Sequence, residues 1–194
     1  MNKRDSVCIF CAASEYIPKI YKETAIRLGE LCAQHGVHII NGAGFVGLMG
    51  DLSNSCLKAQ GKVTGVIPQF MVQKGWQHKG LTNLIITSEM TTRKQKMRDL
   101  SCGIIALAGG SGTMDELFEA ITAKQLDLYT HPIIVINTDG FYNPIKDWLN
   151  RSIKEHFMGK NQINIISFAE TPEEALNMFF ELPDSKNSFE TRPR

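Results

Sequence analysis

Short apolar runs alternate with longer amphipathic segments along most of the chain. A short apolar run bounded by turn residues predicts a strand buried on both faces, and apolar residues three and four apart predict a helix with one buried face. The predicted strands are Ser6–Phe10, Val37–Ile40, Val63–Ile67, Leu84–Thr87, Gly103–Leu107, Pro132–Asn137 and Ile163–Ser167. The predicted helices run from Pro18 to Gly36, Leu48–Ala59, Glu89–Leu100, Thr113–Leu128, Phe141–Phe157 and Pro172–Phe180, the last with Thr171 as its N-cap. This alternation predicts an α/β fold with a doubly wound, mostly parallel sheet and helices on both faces.

The length and composition indicate one domain. The chain has 194 residues, of which 43% are hydrophobic, and this is enough apolar material for one core. We assign residues 1–182 to that single domain. The polar residues 183–194 are expected to form a disordered tail.

Charge and hydropathy argue against two classes of partner. The formal net charge of +1 gives no basic footprint for nucleic acid or for an anionic membrane. No apolar run approaches the ~18 to 20 residues that a membrane-spanning helix needs. The basic residues at the N-terminus are followed by a strand pattern rather than by the apolar core of a signal peptide. We therefore expect no nucleic-acid partner and no membrane partner.

The cysteines indicate a reducing compartment. The chain has five of them, an odd number, and they lie within or directly beside predicted strands and helices, so we expect reduced thiols and a cytoplasmic location. Cys8 and Cys11 form a C-x-x-C pair, which occurs in redox and zinc sites, but no second pair of metal ligands accompanies it. We favour buried structural cysteines over a redox or zinc role because the surrounding residues form a core strand.

The stretch between residues 93 and 128 carries the clearest chemical signal. After a predicted strand it contains a glycine-rich turn and then a helix; the turn consists of Gly109, Gly110, Ser111, Gly112 and Thr113. Glycines let the backbone approach a ligand closely, so that free N–H groups at the helix start point at a phosphate, and Thr113 adds a hydroxyl. The pattern predicts a phosphate cradle; the alternative is a flexible strand-to-helix turn. The bunched glycines do not match a dinucleotide fingerprint, and no Walker lysine follows Gly112.

Glu116 lies one turn into the predicted helix, where a carboxylate would repel a bound phosphate. The repulsion is avoided if the side chain reaches past the phosphate toward a sugar or a water molecule. We therefore interpret the site as one for a phosphorylated sugar, with Glu116 placed for chemistry. The alternative is a carboxylate that only complements the dipole at the helix start.

Two more loops at the carboxyl ends of predicted strands belong to the same crevice. The loop Cys11–Ser14 follows the first strand, and a second glycine-rich turn, Asn41–Gly50, follows the second. Open α/β sheets bind ligands at this edge, so backbone donors would lie on both sides of one crevice. The segment Gln69–Leu81, with Trp76 and His78, is predicted to be irregular. It is either a flap over the site or a long connection, and we favour the connection.

A series of motifs in the same order resembles the Lonely Guy family over nearly the whole chain. Residues Ala108–Glu116 resemble its PGGxGTxxE motif, and Arg93-Lys94 with Met97 resembles RKxxM. The remaining matches are Cys11–Ser14 to CGSS, Gly42–Gly50 to GGGxxGLMG, and Gly65–Pro68. Several motifs in the right order are more specific than one glycine loop.

The resemblance implies a Rossmann-like homodimer that hydrolyses the N-glycosidic bond of a nucleoside 5′-monophosphate to the free base and ribose 5-phosphate. In plants and some bacteria the substrate is a cytokinin riboside monophosphate. By motif position, Arg93 and Glu116 are the catalytic pair and Gly110–Thr113 the phosphate cradle. Further substrate or phosphate contacts are expected at Ser14, Gly44, Lys94, Gly109 and Thr122. No metal ion and no organic cofactor is implied.

The chemistry of this bond suits the same residues. Cleavage of a ribosyl C–N bond passes through an oxocarbenium-like state, so a carboxylate near the ribose can stabilise positive charge, hold hydroxyls or orient water. Glu116 is the candidate for this role. Arg93 is always charged and would hold the phosphate or the ribose and balance the carboxylate, and fixing both ends of the substrate is itself a large catalytic effect. Without the resemblance, Arg93 would be interpreted as a surface residue of its helix.

The chain departs from the family pattern at several positions. Ala108 replaces the motif's proline, Cys102 stands where an aspartate is common, and Thr91-Thr92 replaces His-Glu. Gly75 stands where many members carry a glutamate that helps to hold the substrate. These departures leave the ribose-phosphate end intact. The resemblance therefore supports a phosphoribohydrolase more strongly than it supports cytokinin specificity.

Two other functions remain open. Members of the family have often been labelled lysine decarboxylases, an activity that needs pyridoxal phosphate on a lysine Schiff base. Lys94 and Lys124 are the lysines nearest to the cradle, and neither has a recognisable cofactor context. A non-catalytic nucleotide-binding or sensing protein would keep the glycine loops but would not need Arg93 and Glu116 together. Their joint presence favours an enzyme.

Overall fold

Seven parallel strands form one sheet in the computed structural model, which describes residues 4–185. The strands are β1 (Ser6–Phe10), β2 (His38–Asn41), β3 (Val63–Pro68), β4 (Asn83–Thr87), β5 (Ile104–Ala106), β6 (Ile133–Ile136) and β7 (Ser167–Ala169). The α-helices are α1 (Lys19–Gln34), α2 (Gly47–Lys58), α3 (Gln69–Gln73), α4 (Met90–Asp99), α5 (Ser111–Gln125), α6 (Asn143–Lys154) and α7 (Pro172–Glu181). Short 3-10 helices span Thr138–Gly140 and Lys160–Asn164.

The strands lie in the order β4-β3-β2-β1-β5-β6-β7. The central strand β1 pairs with β2 on one side and with β5 on the other, so that Cys8 is in register with both Ile40 and Ile104. The chain winds outward from β1 to β4 and then returns to the centre to begin again at β5. The order therefore reverses between β1 and β5, and in open parallel sheets ligands bind at the carboxyl ends of the strands beside such a point.

The sheet has helices on both faces. Helices α1, α2 and α7 cover one face, where Leu28, Leu52 and Phe179 belong to one buried cluster. Helices α4, α5 and α6 cover the other face, where Met97 and Leu149 belong to a second cluster. This is the doubly wound α/β fold predicted from the sequence. Burial of the central strands on both faces explains their nearly continuous apolar sequences.

The start of α7 follows the predicted capping chemistry. The Glu174 N–H donates to Thr171 Oγ1 at 3.1 Å, and Pro172 is the first helical residue. The cap satisfies an N–H group that the helix cannot, and Glu173 and Glu174 suit the positive end of the helix dipole. Short-range sequence signals therefore set this boundary.

The last strand lies later in the chain than predicted. β7 begins at Ser167, whereas Ile163 lies in the second 3-10 helix and is 56% exposed. Ile165 and Ile166 are buried in the second cluster, but they reach it from the connection before β7. The stretch Ile163–Ser167 was predicted as a strand because it is rich in apolar residues. A buried connection needs apolar residues just as a buried strand does, so composition does not distinguish the two.

Both ends of the described chain contact the sheet domain. Arg4 Nη2 donates to Asp184 Oδ1 at 2.6 Å, and the Ser185 N–H donates to the Thr130 carbonyl at 2.9 Å. Residues 186–194 lie outside the described residues, so disorder there stays a prediction. Between residues 4 and 185, no helix is both long enough and apolar enough to cross a membrane.

Candidate active site

The loops that follow β1, β2 and β5 meet at the carboxyl edge of the sheet. The Ala12 N–H donates to the Ala108 carbonyl at 3.3 Å, and the Met49 N–H donates to the Ala12 carbonyl at 3.2 Å. The loop after β1 therefore lies between the glycine-rich turn after β2 and the turn Gly109–Thr113 after β5. The crevice is at the place where the strand order reverses.

The glycine-rich turn after β2 packs against Ser14. Gly47 has a φ of +63°, and a Cβ at this position would lie 2.5 Å from the Ser14 carbonyl oxygen and 2.7 Å from its nitrogen. Only glycine allows both the left-handed backbone and the close approach. Ser14 is exposed and Gly44 is half-buried, so both of these predicted contacts are accessible to a ligand.

Helix α5 begins at Ser111, with Gly110 as its N-cap residue. The Met114 N–H donates to the Gly110 carbonyl at 3.0 Å, so the N–H groups before Met114 have no partner within the helix. A Cβ added at Gly110 or Gly112 would meet no atom within 4 Å. The space around these positions is therefore open. An open helix N-terminus with free N–H groups is suited to a phosphate.

Thr113 is buried and lies against Gly109. A Cβ at Gly109 would be 2.1 Å from Thr113 Oγ1, so the turn can close over the threonine only with glycine here. The structure brings the predicted cradle residues together. Thr113 is buried under the turn, and Gly110, Ser111 and Gly112 are exposed on its outer side.

Arg93 of α4 and Glu116 of α5 form a buried ion pair. Arg93 Nη1 donates to Glu116 Oε1 at 2.7 Å, and the two side chains are 7% and 8% exposed. Arg93 Nε also donates to the Val66 carbonyl of β3 at 3.0 Å. A Cβ on Gly42 would lie 1.9 Å from Arg93 Nη2, so the turn after β2 leaves room for the guanidinium only with glycine at this position. The structure thus brings together the pair that the sequence assigned to catalysis.

The environment of Glu116 is that of a reactive carboxylate. Its pKa is raised above the ordinary value because the side chain is buried, although the charge of Arg93 opposes this effect. Within residues 4–185, Arg93 is the only hydrogen-bond donor to Glu116, and it uses Oε1. The second oxygen, Oε2, therefore remains available to accept a hydrogen bond from a sugar hydroxyl or a water molecule.

Glu116 lies farther from the helix N-terminus than the sequence predicted. Because α5 begins at Ser111 rather than at Thr113, Glu116 lies in the second turn, about 7.5 Å along the axis at about 1.5 Å per residue. A phosphate at the N-terminus and the Glu116 carboxylate are therefore separated along the helix. This separation along the helix reduces the expected repulsion.

Lys94 belongs to a set of charges between the same helices, the α4–α5 charge cluster (Lys94, Arg98, Asp115 and Glu119). Lys94 Nζ lies 2.9 Å from Asp115 Oδ2 and also contacts Glu119, and Arg98 Nη1 lies 2.5 Å from Glu119 Oε1. Burial acts to raise the pKa of Glu119, but hydrogen bonds from Lys94 and Arg98 hold this pKa below its ordinary value. The cluster ties α4 to α5 beside the Arg93–Glu116 pair. Direct contact of Lys94 with substrate stays a prediction.

Thr122 lies apart from the cradle. It is exposed, and its Oγ1 donates to the Phe118 carbonyl at 2.9 Å. At about 1.5 Å per residue, its position on α5 is about 16 Å along the axis from Ser111. It lines a hollow of about 390 Å³ together with Arg98 and Glu119. Within one chain the structure does not bring Thr122 to the phosphate site, and its role as a substrate contact stays a prediction.

The segment after β3 is more regular than predicted. Gln69–Gln73 forms helix α3, and Gln77 forms an antiparallel bridge with Gly44. The His78 N–H donates to the Ala43 carbonyl at 2.7 Å. The prediction of an irregular connection is therefore wrong for α3. The rest of the segment is tied to the glycine-rich turn at the crevice.

The two cysteines of the C-x-x-C pair are free and buried. Burial raises the pKa of both the Cys8 and the Cys11 thiol, which keeps them protonated. Across the described part of the chain, no group of three or more His, Cys, Asp or Glu side chains is placed to hold a metal ion. The burial agrees with a structural role for both cysteines.

Sequence reasoning missed the groups that hold the ion pair in place. The Val66 carbonyl that fixes Arg93 has no sequence signal, because every residue supplies a carbonyl. The α4–α5 charge cluster did have a signal in the sequence. Its two cations are four residues apart, and so are its two carboxylates, which places each pair on one face of its helix.

The chain is similar to a known protein family and to named relatives. The family model described as "Possible lysine decarboxylase" matches residues 49–179. The chain is 35% identical over 170 residues to the probable cytokinin riboside 5′-monophosphate phosphoribohydrolase LOGL2 of Oryza sativa subsp. japonica, a match that covers 88% of this chain and 70% of that protein. It is 30% identical over 191 residues to the cytokinin riboside 5′-monophosphate phosphoribohydrolase LOG4 of Arabidopsis thaliana, covering 98% and 89% of the two proteins.

Solved structures share the fold. The molybdenum cofactor binding protein from the phototrophic bacterium Rippkaea orientalis superposes with a TM-score of 0.68 over 92% of this chain and 96% of that chain. The two sequences are 21% identical. At this identity the likeness concerns the fold alone.

Proposed function

The chain belongs to the Lonely Guy family of cytokinin riboside 5′-monophosphate phosphoribohydrolases, and on that premise we propose that it hydrolyses the N-glycosidic bond of a nucleoside 5′-monophosphate. The products are the free base and ribose 5-phosphate. The observation that carries the proposal is the buried Arg93–Glu116 pair beside the open N-terminus of α5. Binding alone needs the helix N-terminus, whereas bond cleavage needs the carboxylate as well.

In this proposal the 5′-phosphate binds at Gly110–Thr113. The free N–H groups and the positive end of the α5 dipole attract a phosphate dianion, and the two exposed glycines leave room for it. A phosphate fixed there directs the ribose along α5 toward Glu116. Positioning of this kind is itself a large part of catalysis.

Glu116 acts at the ribose. As the C–N bond breaks, its electron pair leaves with the base and positive charge develops on the ribose ring. The Glu116 carboxylate stabilises that charge, and Oε2 holds a ribose hydroxyl or orients the attacking water. Water adds at C1′, and the proton it loses replaces the sugar on the base. No cofactor is needed for these steps.

Arg93 keeps Glu116 ready for this role. Burial favours the protonated carboxyl, and the guanidinium at 2.7 Å favours the carboxylate. The hydrogen bond to the Val66 carbonyl fixes the position of the guanidinium. Gly42, which has no side chain, leaves room for it. Arg93 thus holds both the charge and the orientation of the catalytic carboxylate.

Lysine decarboxylation, which the description of the family model suggests, does not suit these residues. That reaction needs pyridoxal phosphate attached to a lysine amine. The Lys94 amine is bound by two carboxylates of the α4–α5 charge cluster, and the Lys124 amine donates to the Thr130 and His131 carbonyls. Neither amine is placed to form the Schiff base, so we assign no role to this cofactor.

The proposal is tested by incubating the purified protein with AMP and, separately, with isopentenyladenosine 5′-monophosphate, and following the free base by chromatography. We expect release of base from at least one substrate, and we expect Glu116→Gln to lower kcat by about 10³-fold. Glu155→Gln is the matched control, because Glu155 also pairs with an arginine, Arg151, but on the exposed surface. It should leave kcat unchanged. Saturable binding of both nucleotides without release of base would instead support the non-catalytic sensing function.

We extend the proposal to a homodimer, which the family resemblance implies. The edge strand β4 exposes Leu84 (40%) and Ile86 (49%) on one face, and Met90 at the start of α4 is 36% exposed. Exposed apolar residues on an edge strand are typical of an interaction surface. Light scattering should give twice the 21.7 kDa mass of one chain, and the mass of a single chain would contradict the dimer. The cytoplasmic location stays a prediction.

A further inference from the structure

Two half-exposed aromatic side chains lie beside the crevice and have no part in the proposed chemistry. Phe45, in the glycine-rich turn after β2, is 50% exposed, and Trp76, in the segment after α3, is 46% exposed. Single exposed apolar side chains are common on protein surfaces, but these two lie beside the same crevice, where a ligand can contact them.

The backbone register places the two residues opposite each other. Gly44 and Gln77 form an antiparallel bridge, and the His78 N–H donates to the Ala43 carbonyl on one side of it. The bridge itself ends there, and if its register is continued by one residue to the other side, Phe45 falls opposite Trp76. Directly opposite residues in an antiparallel pair project their side chains to the same side, with Cβ atoms about 4.5 to 5.5 Å apart.

Burial along this bridge agrees with the register. Gln77 Oε1 is buried, and a Cβ on Gly44 would lie 3.1 Å from Met49 Sδ. One side of the bridge therefore faces the protein interior. Phe45 and Trp76 lie on the other side, which is exposed.

The aromatic pair is close to the ion pair. A Cβ on Gly42 would touch Arg93 Nη2, and Phe45 is three residues further along the chain. Steps of about 3.8 Å per residue limit the distance between the Gly42 and Phe45 Cα atoms to about 11 Å. In the proposed binding mode the base is attached to a ribose at Glu116, so it would lie in the same part of the crevice as this turn.

The indole of Trp76 is held in place on one side. Lys74 Nζ lies over the ring, 4.7 Å from its centroid, which is a cation–π contact. Trp76 is still 46% exposed, so part of the indole is accessible to a ligand. A partly exposed aromatic ring that is held by a cation–π contact is suited to stack on a planar base.

We propose that Phe45 and Trp76 form the binding site for the base of the nucleotide, with the Trp76 indole stacking on a purine. The inference rests on the proposed function for the position of the ribose and phosphate. It goes beyond that function because it assigns the selection of the base to these two side chains. The class of substrate is a purine nucleoside 5′-monophosphate, since a bicyclic base offers the largest surface for stacking.

Tryptophan fluorescence tests the contact without turnover. The chain has two tryptophans, so Trp148→Phe leaves Trp76 as the only one, and Glu116→Gln makes cleavage slow on the time scale of the titration. This double variant is titrated with AMP and with ribose 5-phosphate, with excitation at the red edge of the indole band, where adenine does not absorb. We expect saturable quenching by AMP and none by ribose 5-phosphate. An equal response to both ligands, or a response to neither while AMP binds by calorimetry, would overturn the inference.

Steady-state kinetics distinguishes an effect on binding of the base from an effect on binding of the ribose 5-phosphate part. Stacking predicts that Trp76→Leu raises KM for AMP roughly 5- to 150-fold, and that Phe45→Leu raises it less. The inhibition constant of ribose 5-phosphate should stay within about twofold of the wild-type value, because this product has no base. Trp148→Leu is the matched control, since Trp148 is also 46% exposed but lies on α6. It should change neither constant.

The two experiments also separate the inference from the function on which it rests. An equal rise in KM and in the inhibition constant would show that Trp76 only supports the fold of the crevice, and this would overturn the inference. If the wild type releases no base from any nucleotide, the proposed activity is wrong. The fluorescence titration would then still show whether Trp76 contacts the base.

Discussion

The two ends of the crevice are built in different ways. The proposed ribose-phosphate end consists of regular elements: a helix N-terminus and an ion pair that is more than nine-tenths buried. At the proposed base end, the side chains lie on a turn and on a connecting segment, and they are about half exposed. At the first end, Arg93 donates a hydrogen bond to the Val66 carbonyl of the sheet. At the second end, an isolated antiparallel bridge and the hydrogen bond from His78 to Ala43 join the turn to the connecting segment.

The difference shows which part of the reaction needs fixed geometry. Charge that develops on the ribose must meet a carboxylate whose position is already set, because reorganisation would raise the barrier. Recognition of a base by stacking tolerates small shifts, because every base has a planar face. The departures Thr91-Thr92 and Gly75 from the family pattern are exposed residues. They leave the buried pair unchanged.

The largest effect is expected from breaking the ion pair. Arg93→Met leaves the Glu116 carboxylate buried without a partner and should lower the free energy of unfolding by about 3–5 kcal/mol. The double variant Arg93→Met/Glu116→Leu should be less destabilised than Arg93→Met alone, because both charges are gone. Urea unfolding is measured for the wild type, for Arg93→Met, for Glu116→Leu and for the double variant. A double variant as unstable as the sum of the two single changes would argue against a coupled pair.

A smaller effect is expected from moving the arginine without removing it. The Cβ of Gly42→Ala would overlap Arg93 Nη2, which lies 1.9 Å away, so the guanidinium must shift. Because small displacements of catalytic groups are costly, we expect kcat to fall about 10²-fold. Circular dichroism should show an unchanged fold. An alanine variant with wild-type kcat would show that the exact position of Arg93 is unimportant.

The α4–α5 charge cluster should affect stability in a pH-dependent way. The pKa of Glu119 in the folded protein lies below its ordinary value of 4.5, so its contribution to stability is present above pH 4.5 and is lost as the pH falls through the lowered pKa. Glu119→Gln should cost about 1–2 kcal/mol at neutral pH. The difference from wild type should shrink below pH 4.5 in unfolding experiments. A difference that is constant from neutral to acidic pH would exclude the ion pairs as its cause.

The smallest effect is expected at the base end. Gly75→Glu restores the glutamate that many family members carry, at an exposed position where an added Cβ meets no atom within 4 Å. The φ of +72° makes the change mildly unfavourable for a side chain. We expect the ratio of kcat/KM for isopentenyladenosine 5′-monophosphate and AMP to change by less than about tenfold, with kcat nearly constant. A large fall in kcat would contradict the separation of the two ends.

The sequence predicted the features that depend on neighbouring residues. The doubly wound sheet follows from the alternation of apolar runs and amphipathic segments, and the start of α7 follows from Thr171 and Pro172. The glycine turn before α5 was also predicted, since strand, glycines and helix are contiguous. The boundary of α5 was misplaced because Ser111 and Gly112 are poor helix formers, and tertiary contacts override that preference here.

The features that depend on distant residues were not predicted. The carbonyl that fixes Arg93 belongs to β3, and the bridge that places Trp76 beside the crevice pairs two loops that are far apart in sequence. Neither contact leaves a local pattern. The predicted position of β7 was wrong for a related reason. An apolar stretch becomes a strand only if it can pair with the edge strand of the sheet, and this pairing depends on residues that are distant in sequence.

The ion pair also constrains how the protein is made. Arg93 and the strands on which it packs lie on one side of β1 in the sheet, and Glu116 follows β5 on the other side, 23 residues later in the chain. As the chain leaves the ribosome, the arginine emerges before its counter-charge. The N-terminal half therefore has to wait for α5 before Arg93 can be buried at low cost. The ion pair forms only when synthesis has passed the middle of the protein.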